Sequence, residues 1–202
     1  MGLSCSTDLR ERLGFSEKVK EQNKCNNLCN DDEEEEVEVA LTFPSFRYVP
    51  ENRPQLSAEC QVTVQQTWDI IKRDIERVGV VMFMGLLEDP EIRGSFRSFR
   101  DKTMEELKAS AVLRSHVLRV MGAVEKVVAR LDNEEKLVTL LHELGQRHLV
   151  YSVRPEFLDL IGPEYNNAIK PPLGDKWTPE VEQAWDDLFR YITHVMRETM
   201  VM

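Results

Sequence analysis

Two stretches of the chain place apolar residues at helical spacing, and each carries one histidine on its apolar side. In Leu107–Leu131, the residues Leu113, His116, Val117, Val120, Val124 and Val127 recur three or four apart. They therefore share one side of a helix. Arg114, Arg119, Glu125, Lys126 and Arg130 fall mostly on the other side. In Leu137–Val150, the residues Leu137, Leu140, Leu141, Leu144 and His148 make a similar ladder. His142 lies six residues before His148. At 3.6 residues per turn it is rotated about 120° away, towards solvent or a neighbouring helix.

The rest of the chain after Ser57 also reads as helix. Ser57 is a helix-capping type, and Val62, Trp68, Ile71, Ile75 and Val78 are spaced as a buried stripe. Gly79 marks a break or a close helix crossing, and Val80–Leu87 is apolar nearly all round, as in a helix packed on several sides. Asp89-Pro90-Glu91 is a start signal with proline in the first helical position. Phe96 and Phe99 sit in a basic connector, Arg93–Lys102. Thr103 and Glu106 form a capping box ahead of the first histidine helix, and Asp132-Asn133-Glu134-Glu135 opens the second. Arg154-Pro155-Glu156 starts another helix around Phe157–Ile169, and Pro171, Pro172 and Gly174 form a turn. Thr178-Pro179-Glu180 caps a last helix with the stripe Val181, Ala184, Trp185, Leu188, Ile192 and Val195. There is no convincing alternation of period two and no internal repeat. The expected fold is all-α, with seven to eight helices of ordinary length.

Residues 1–55 carry no such pattern and are expected to form a largely disordered tail ahead of a domain over 56–202. Asp31–Glu38 is acidic except for Val37, a density of like charge that disfavours compact structure and repels an anionic lipid leaflet. Pro44, Pro50 and Pro54 complete a linker. The first residues, Met1-Gly2-Leu3-Ser4-Cys5-Ser6, fit the myristoylation pattern, and Cys5 stands where a palmitoyl chain is commonly added. One myristoyl chain gives reversible membrane binding, with K on the order of 10⁴ M⁻¹, so two chains make a lasting anchor. A chance Met-Gly start with a solvent thiol is the competing reading.

Charge and composition narrow the classes. A net charge of −10 argues against sequence-independent binding of nucleic acid, which depends on neutralising phosphates. No apolar run reaches the length of about 20 residues needed to span a bilayer, and no secretory signal opens the chain. Four cysteines in 202 residues do not make a disulfide scaffold. The expected location is the cytoplasmic face of the plasma membrane. Cys60 could pair with Cys25 or Cys29, although free thiols are the expectation in a reducing cytosol.

A histidine on an apolar face is ordinarily a core residue. Two such faces in succession, each with an aliphatic ladder and one imidazole, point to a flat cofactor held between them, namely haem. The cofactor needs one strong axial nitrogen, apolar walls, and a route for its propionates to solvent or cations. His148, with Leu144 one turn below it, is the better ligand, and His116 faces it from the other helix. His194 on the last helix is expected to be structural, and Tyr151 to be a packing residue.

Several landmarks then occur in an order that resembles the globin family, over roughly Leu56–Met202. Trp68 stands in the first helix, and Pro90 opens the short helix before the corner. Phe96, with Phe99 three later, is similar to the corner phenylalanine, and His116 follows Phe96 by 20 residues. Val120 is one turn after His116, and Leu144-Gly145-Gln146-Arg147-His148 resembles the proximal stretch. The resemblance implies haem b (iron protoporphyrin IX), with His148 as proximal and His116 as distal iron ligand. Phe96, Val120, Leu144 and Val153 are candidate walls. Met82 falls where globins place a large distal side chain, with Phe83 as the fallback, and either Phe157 or Leu158 touches the ring. Arg119 is near enough in sequence to reach a propionate, unless it is simply solvated.

The long tail beginning Met-Gly and carrying Cys5 resembles globin X, the acylated, membrane-associated branch. That branch implies both histidines bound to iron when no gas is present. The leading expectation is a membrane-tethered, monomeric haem protein that binds O2, NO and CO. Its chemistry would be nitrite reduction, NO oxidation, oxidant scavenging or electron transfer, fed by an unidentified reductase. Whether nitrite reductase or NO dioxygenase activity is its task stays open. The alternatives are a redox- or gas-sensing signalling module whose haem state controls partner binding, a conventional oxygen carrier, and a haemless interaction domain.

Overall fold

The structure, a computed structural model, describes residues 53–200, and every regular element among them is helical. Helix α1 spans Ala58–Ile71 and leads through a 3₁₀ turn, Lys72–Asp74, into α2, Ile75–Leu86. Two short helices follow, α3 at Pro90–Ser95 and α4 at Met104–Lys108. The histidine helices are α5, Ala111–Val128, and α6, Glu134–Val150. A 3₁₀ segment, Pro155–Leu160, enters α7, Ile161–Leu173, and a further 3₁₀ turn, Gly174–Lys176, precedes α8, Pro179–Arg197. Helix α2 packs against α5 and α7, while α8 receives α1, α6 and α7. No helix among the described residues is long and apolar enough to cross a membrane. Gly2, Cys5, Cys25 and Cys29, with the acidic run, lie outside the described residues.

Helix starts follow local chemistry. The Ser57 hydroxyl accepts from the Cys60 N–H, the Asp89 carboxylate from Glu91 and Ile92, the Asn133 side chain from Lys136, and the Thr178 hydroxyl from Val181. Each satisfies a backbone donor that the first helical turn leaves free. The expected stripe of α8 is buried throughout, with Trp185 fully enclosed and its indole N–H donating to Thr67 Oγ1 at 3.0 Å. That bond joins α8 to α1.

Three expectations are corrected. The first histidine stretch is two helices: the Thr103–Glu106 capping box serves five-residue α4, and Ser110 starts α5 afresh by accepting from the Leu113 N–H. Val62 is half exposed, because at 3.6 residues per turn it lies on the side of α1 opposite Ile71, and the buried face runs through Cys60, Val64, Thr67, Trp68 and Ile71. Pro171 and Pro172 belong to the last turn of α7, whose φ suits proline, and Gly174 at φ 51° ends the helix.

Two glycines fix close crossings. A Cβ on Gly79 would collide with the Val117 and Met121 side chains, so α2 and α5 cross at backbone distance. A Cβ on Gly145 would collide with the Met196 carbonyl, so α6 lies equally close to α8. Cys60 is buried and free, its thiol donating to the Ala184 carbonyl at 3.3 Å, and burial pushes its pKa up to about 11.

Candidate functional site

Helix α6 ends with His148 in its last turn. The His148 Nδ1 lies 2.8 Å from the Leu144 carbonyl. A carbonyl only accepts, so Nδ1 carries the hydrogen and the neutral ring leaves its lone pair on Nε2. The backbone closes the same turn, because the Val153 N–H donates to the His148 carbonyl at 3.0 Å while Ser152 adopts φ 55°. Burial lowers the His148 pKa, with the Leu144 bond opposing it. The imidazole is therefore neutral at neutral pH and aimed by its own helix.

His116 is held differently. Its ring meets Phe83 at 5.0 Å between centroids, Phe96 at 5.5 Å and Phe99 at 6.2 Å, all nearly edge to face. Phe96 also stacks on Phe99 at 5.2 Å. Such aromatic contacts add about 0.5–1.5 kcal/mol each beyond the area they bury. Burial lowers the His116 pKa to about 4, helped by the charges of Arg119 and His148. His116 is therefore neutral at neutral pH.

The remaining candidates fall as follows. Val120, Leu144, Val153 and Phe96 are half-buried and pack against the core. Met82 is almost completely enclosed, and its neighbour Phe83 is the residue that meets the His116 ring. Both lie on the buried side of α2, and spacing from Phe96 could not separate them. Arg119 is exposed on α5, with its guanidinium donating to Ser115 Oγ at 3.3 Å. Phe157 is half-buried beneath the Arg154 guanidinium, 4.1 Å from its ring centre, and Leu158 is fully buried. Arg154 also reaches Glu91 at 2.8 Å, tying the 3₁₀ segment to α3. His142 faces α8, the second of the two orientations its rotation allowed, and His194 stands beside it on α8.

Comparison with known proteins places the chain in a family. The family model described as Globin matches residues 82–196. The chain belongs to the globin family. It is 30% identical over 128 residues to cytoglobin-2 of Danio rerio, covering 62% of this chain and 72% of the relative. It is 27% identical over 144 residues to anaerobic nitrite reductase AHB2 of Arabidopsis thaliana, covering 69% of this chain and 90% of the relative. Among solved structures, a hexacoordinated haem protein from an anhydrobiotic tardigrade superposes with a TM-score of 0.68 at 22% identity. That match covers 73% of this chain and 97% of the tardigrade chain.

As in other globins, the cofactor is haem b. The residues present fit it. An iron porphyrin takes neutral imidazole nitrogen as its axial donor, and both histidines are held neutral by burial. The His148 ring is also oriented by the Leu144 carbonyl at Nδ1, an arrangement that fixes the tautomer with a free Nε2 lone pair. The half-buried apolar residues on α5, α6 and the corner offer the low-polarity walls a porphyrin face needs.

Proposed function

We propose that this globin is tethered to the membrane by its N-terminus and that its haem iron is held by His148 and, when no external ligand is present, also by His116. Two neutral imidazoles, one on the apolar face of each of two successive helices, His116 among phenylalanine rings and His148 aimed by the Leu144 carbonyl, carry this reading. Bound haem supplies a site for diatomic ligands and a one-electron redox couple. His148 is the fixed donor. His116, held by ring packing, is the donor able to leave. An incoming O2, NO or CO would have to displace it, and apparent affinity would fall to the fraction of protein in which His116 is released. Phe83 and Phe96 then decide how far the freed imidazole can swing. Arg119 lies on the same helix, where its cation can meet a propionate.

Such a site suits redox work better than bulk oxygen storage. Nitrite reduction, NO oxidation, oxidant scavenging and electron transfer, with a separate reductase as partner, are the chemistries in view. The relative named as a nitrite reductase and the hexacoordinated tardigrade protein support this reading. The tether rests on Gly2 for a myristoyl chain and Cys5 for a palmitoyl chain, which together place the protein at the cytoplasmic face of the plasma membrane and resemble the globin X branch.

The absorption spectrum of the purified ferrous protein without gas tests the haem assignment. A six-coordinate, low-spin spectrum supports bis-histidyl ligation, a five-coordinate one rejects it in favour of an oxygen carrier, and the lack of a Soret band rejects haem altogether. Gly2→Ala should move the full-length protein from the membrane fraction to the soluble one. Unchanged fractionation ends the tether.

A further inference from the structure

Away from both histidine rings of the haem site, one buried carboxylate joins three parts of the domain. Glu198 caps the C-terminus of α8, and its side chain is only 6% exposed. Both facts are unfavourable for an anion: burial costs solvation, and a helix C-terminus carries negative partial charge. The carboxyl is nevertheless held below its usual range, because burial, which alone would push it up, is outweighed by hydrogen bonds from Arg53 and His142. Arg53 grips both oxygens, Nε to Oε1 at 3.1 Å and Nη2 to Oε2 at 2.8 Å. His142 Nε2 reaches Oε2 at 2.9 Å, and His194 Nε2 lies 3.9 Å from Oε1. Arg53 also stands 3.9 Å from Glu134, the first residue of α6.

Each of these contacts bears on α6. Next to Glu198, the Thr199 hydroxyl donates to the His142 carbonyl at 3.1 Å. Gly145, three residues further along α6, packs on the Met196 carbonyl with no room for a Cβ. So α6 is pinned to the end of α8 at its start, at His142 and at Gly145, and the pinned part runs directly into His148. At 1.5 Å per residue, His142 and His148 are about 9 Å apart along one continuous helix. A shift at the pinned end is carried to the axial imidazole, since a helix transmits translation and rotation along its length.

We propose that Arg53 and Glu198 are positioning residues for haem ligation, latching α6 to α8 so that His148 is preorganised for the iron. This rests on the reading of His148 as an iron ligand. The ordering of α6 is then complete before haem binds, and the bond from His148 loses less of its strength to fixing the helix.

The test uses full-length, haem-loaded protein carrying Arg53→Gln, Glu198→Gln or the milder Arg53→Lys. The readouts are the rate of haem transfer to an excess of apomyoglobin and the fraction of ferrous protein that binds CO in the fast, five-coordinate phase. Arg53→Gln and Glu198→Gln should each speed haem loss about tenfold, the weight of a lost bond to a charged partner, and enlarge the fast CO phase. Arg53→Lys keeps the charge and loses the fork, and should fall between them and the wild type. If haem loss and the CO phases match the wild type, the latch is overturned, even where the melting temperature drops. A smaller fast phase overturns it too. Failure of the haem reading shows in the wild-type spectrum, and failure of the latch shows only in the comparison of variant with wild type.

Discussion

The two imidazoles are restrained by different physics. On α6, direction comes from a hydrogen bond: the Leu144 carbonyl holds Nδ1 of His148, and the Val153 N–H closes the turn beneath it. On α5, His116 is bounded by three phenylalanine rings, and burial is the main influence on its proton. A hydrogen bond is directional, whereas ring packing permits rotation at modest cost. On the proposed ligation, His148 would be the histidine that stays and His116 the one that yields, the asymmetry a displaceable sixth ligand requires.

The most severe way to break the comparison is His148→Ala. It should abolish haem retention through purification, read as loss of the Soret band. His116→Leu should keep haem bound, convert the gas-free ferrous spectrum to five-coordinate and speed CO association about tenfold or more, the reciprocal of the competent fraction. Equal effects of the two substitutions would erase the asymmetry.

The glycines of the same two helices sharpen it. Gly145→Ala forces a Cβ into the Met196 carbonyl and should cost about 1–3 kcal/mol in chemical denaturation. On α5, a Cβ at Gly122 meets nothing within 4 Å, so Gly122→Ala should be neutral or stabilising by up to about 1 kcal/mol. The smallest effect is in pH. In the haem-free protein, the His116 pKa is lowered by burial, to about 4, from an ordinary 6.5. Between those values the unfolded chain binds a proton that the folded one refuses. Stability should therefore be complete above pH 6.5 and fall as pH drops towards 4. His148, lowered for the same reason, adds in the same direction. His116→Leu should flatten part of that slope in denaturant titrations.

What could be read from the sequence was local. The caps at Ser57, Asp89, Asn133 and Thr178 lie within three residues of the donors they satisfy, and each starts a helix as expected. The apolar ladders of α5 and α6 survive as packed faces, with His116 and His148 on them. The break at Ser110 was missed because the apolar rhythm continues from Leu107 to Leu113 across it, while the cap hydroxyl alone ends the run. Phe83 could not be told from Met82, since both occupy the buried side of α2. The Arg53–Glu198 pair is 145 residues apart, and no periodicity reports a contact at that range. Gly145 did show within the proximal stretch, but its reason, the Met196 carbonyl, is purely tertiary.

Cys60 offers a clock. Its sulfur is sealed between α1 and α8 and is protonated at ordinary pH, so an alkylating reagent reaches it only when α1 lifts from its seat. With the other three cysteines changed to serine, the rate of alkylation would count those openings one by one. Comparing that rate with and without haem would tell how far the cofactor's grip extends to the contact between α1 and α8.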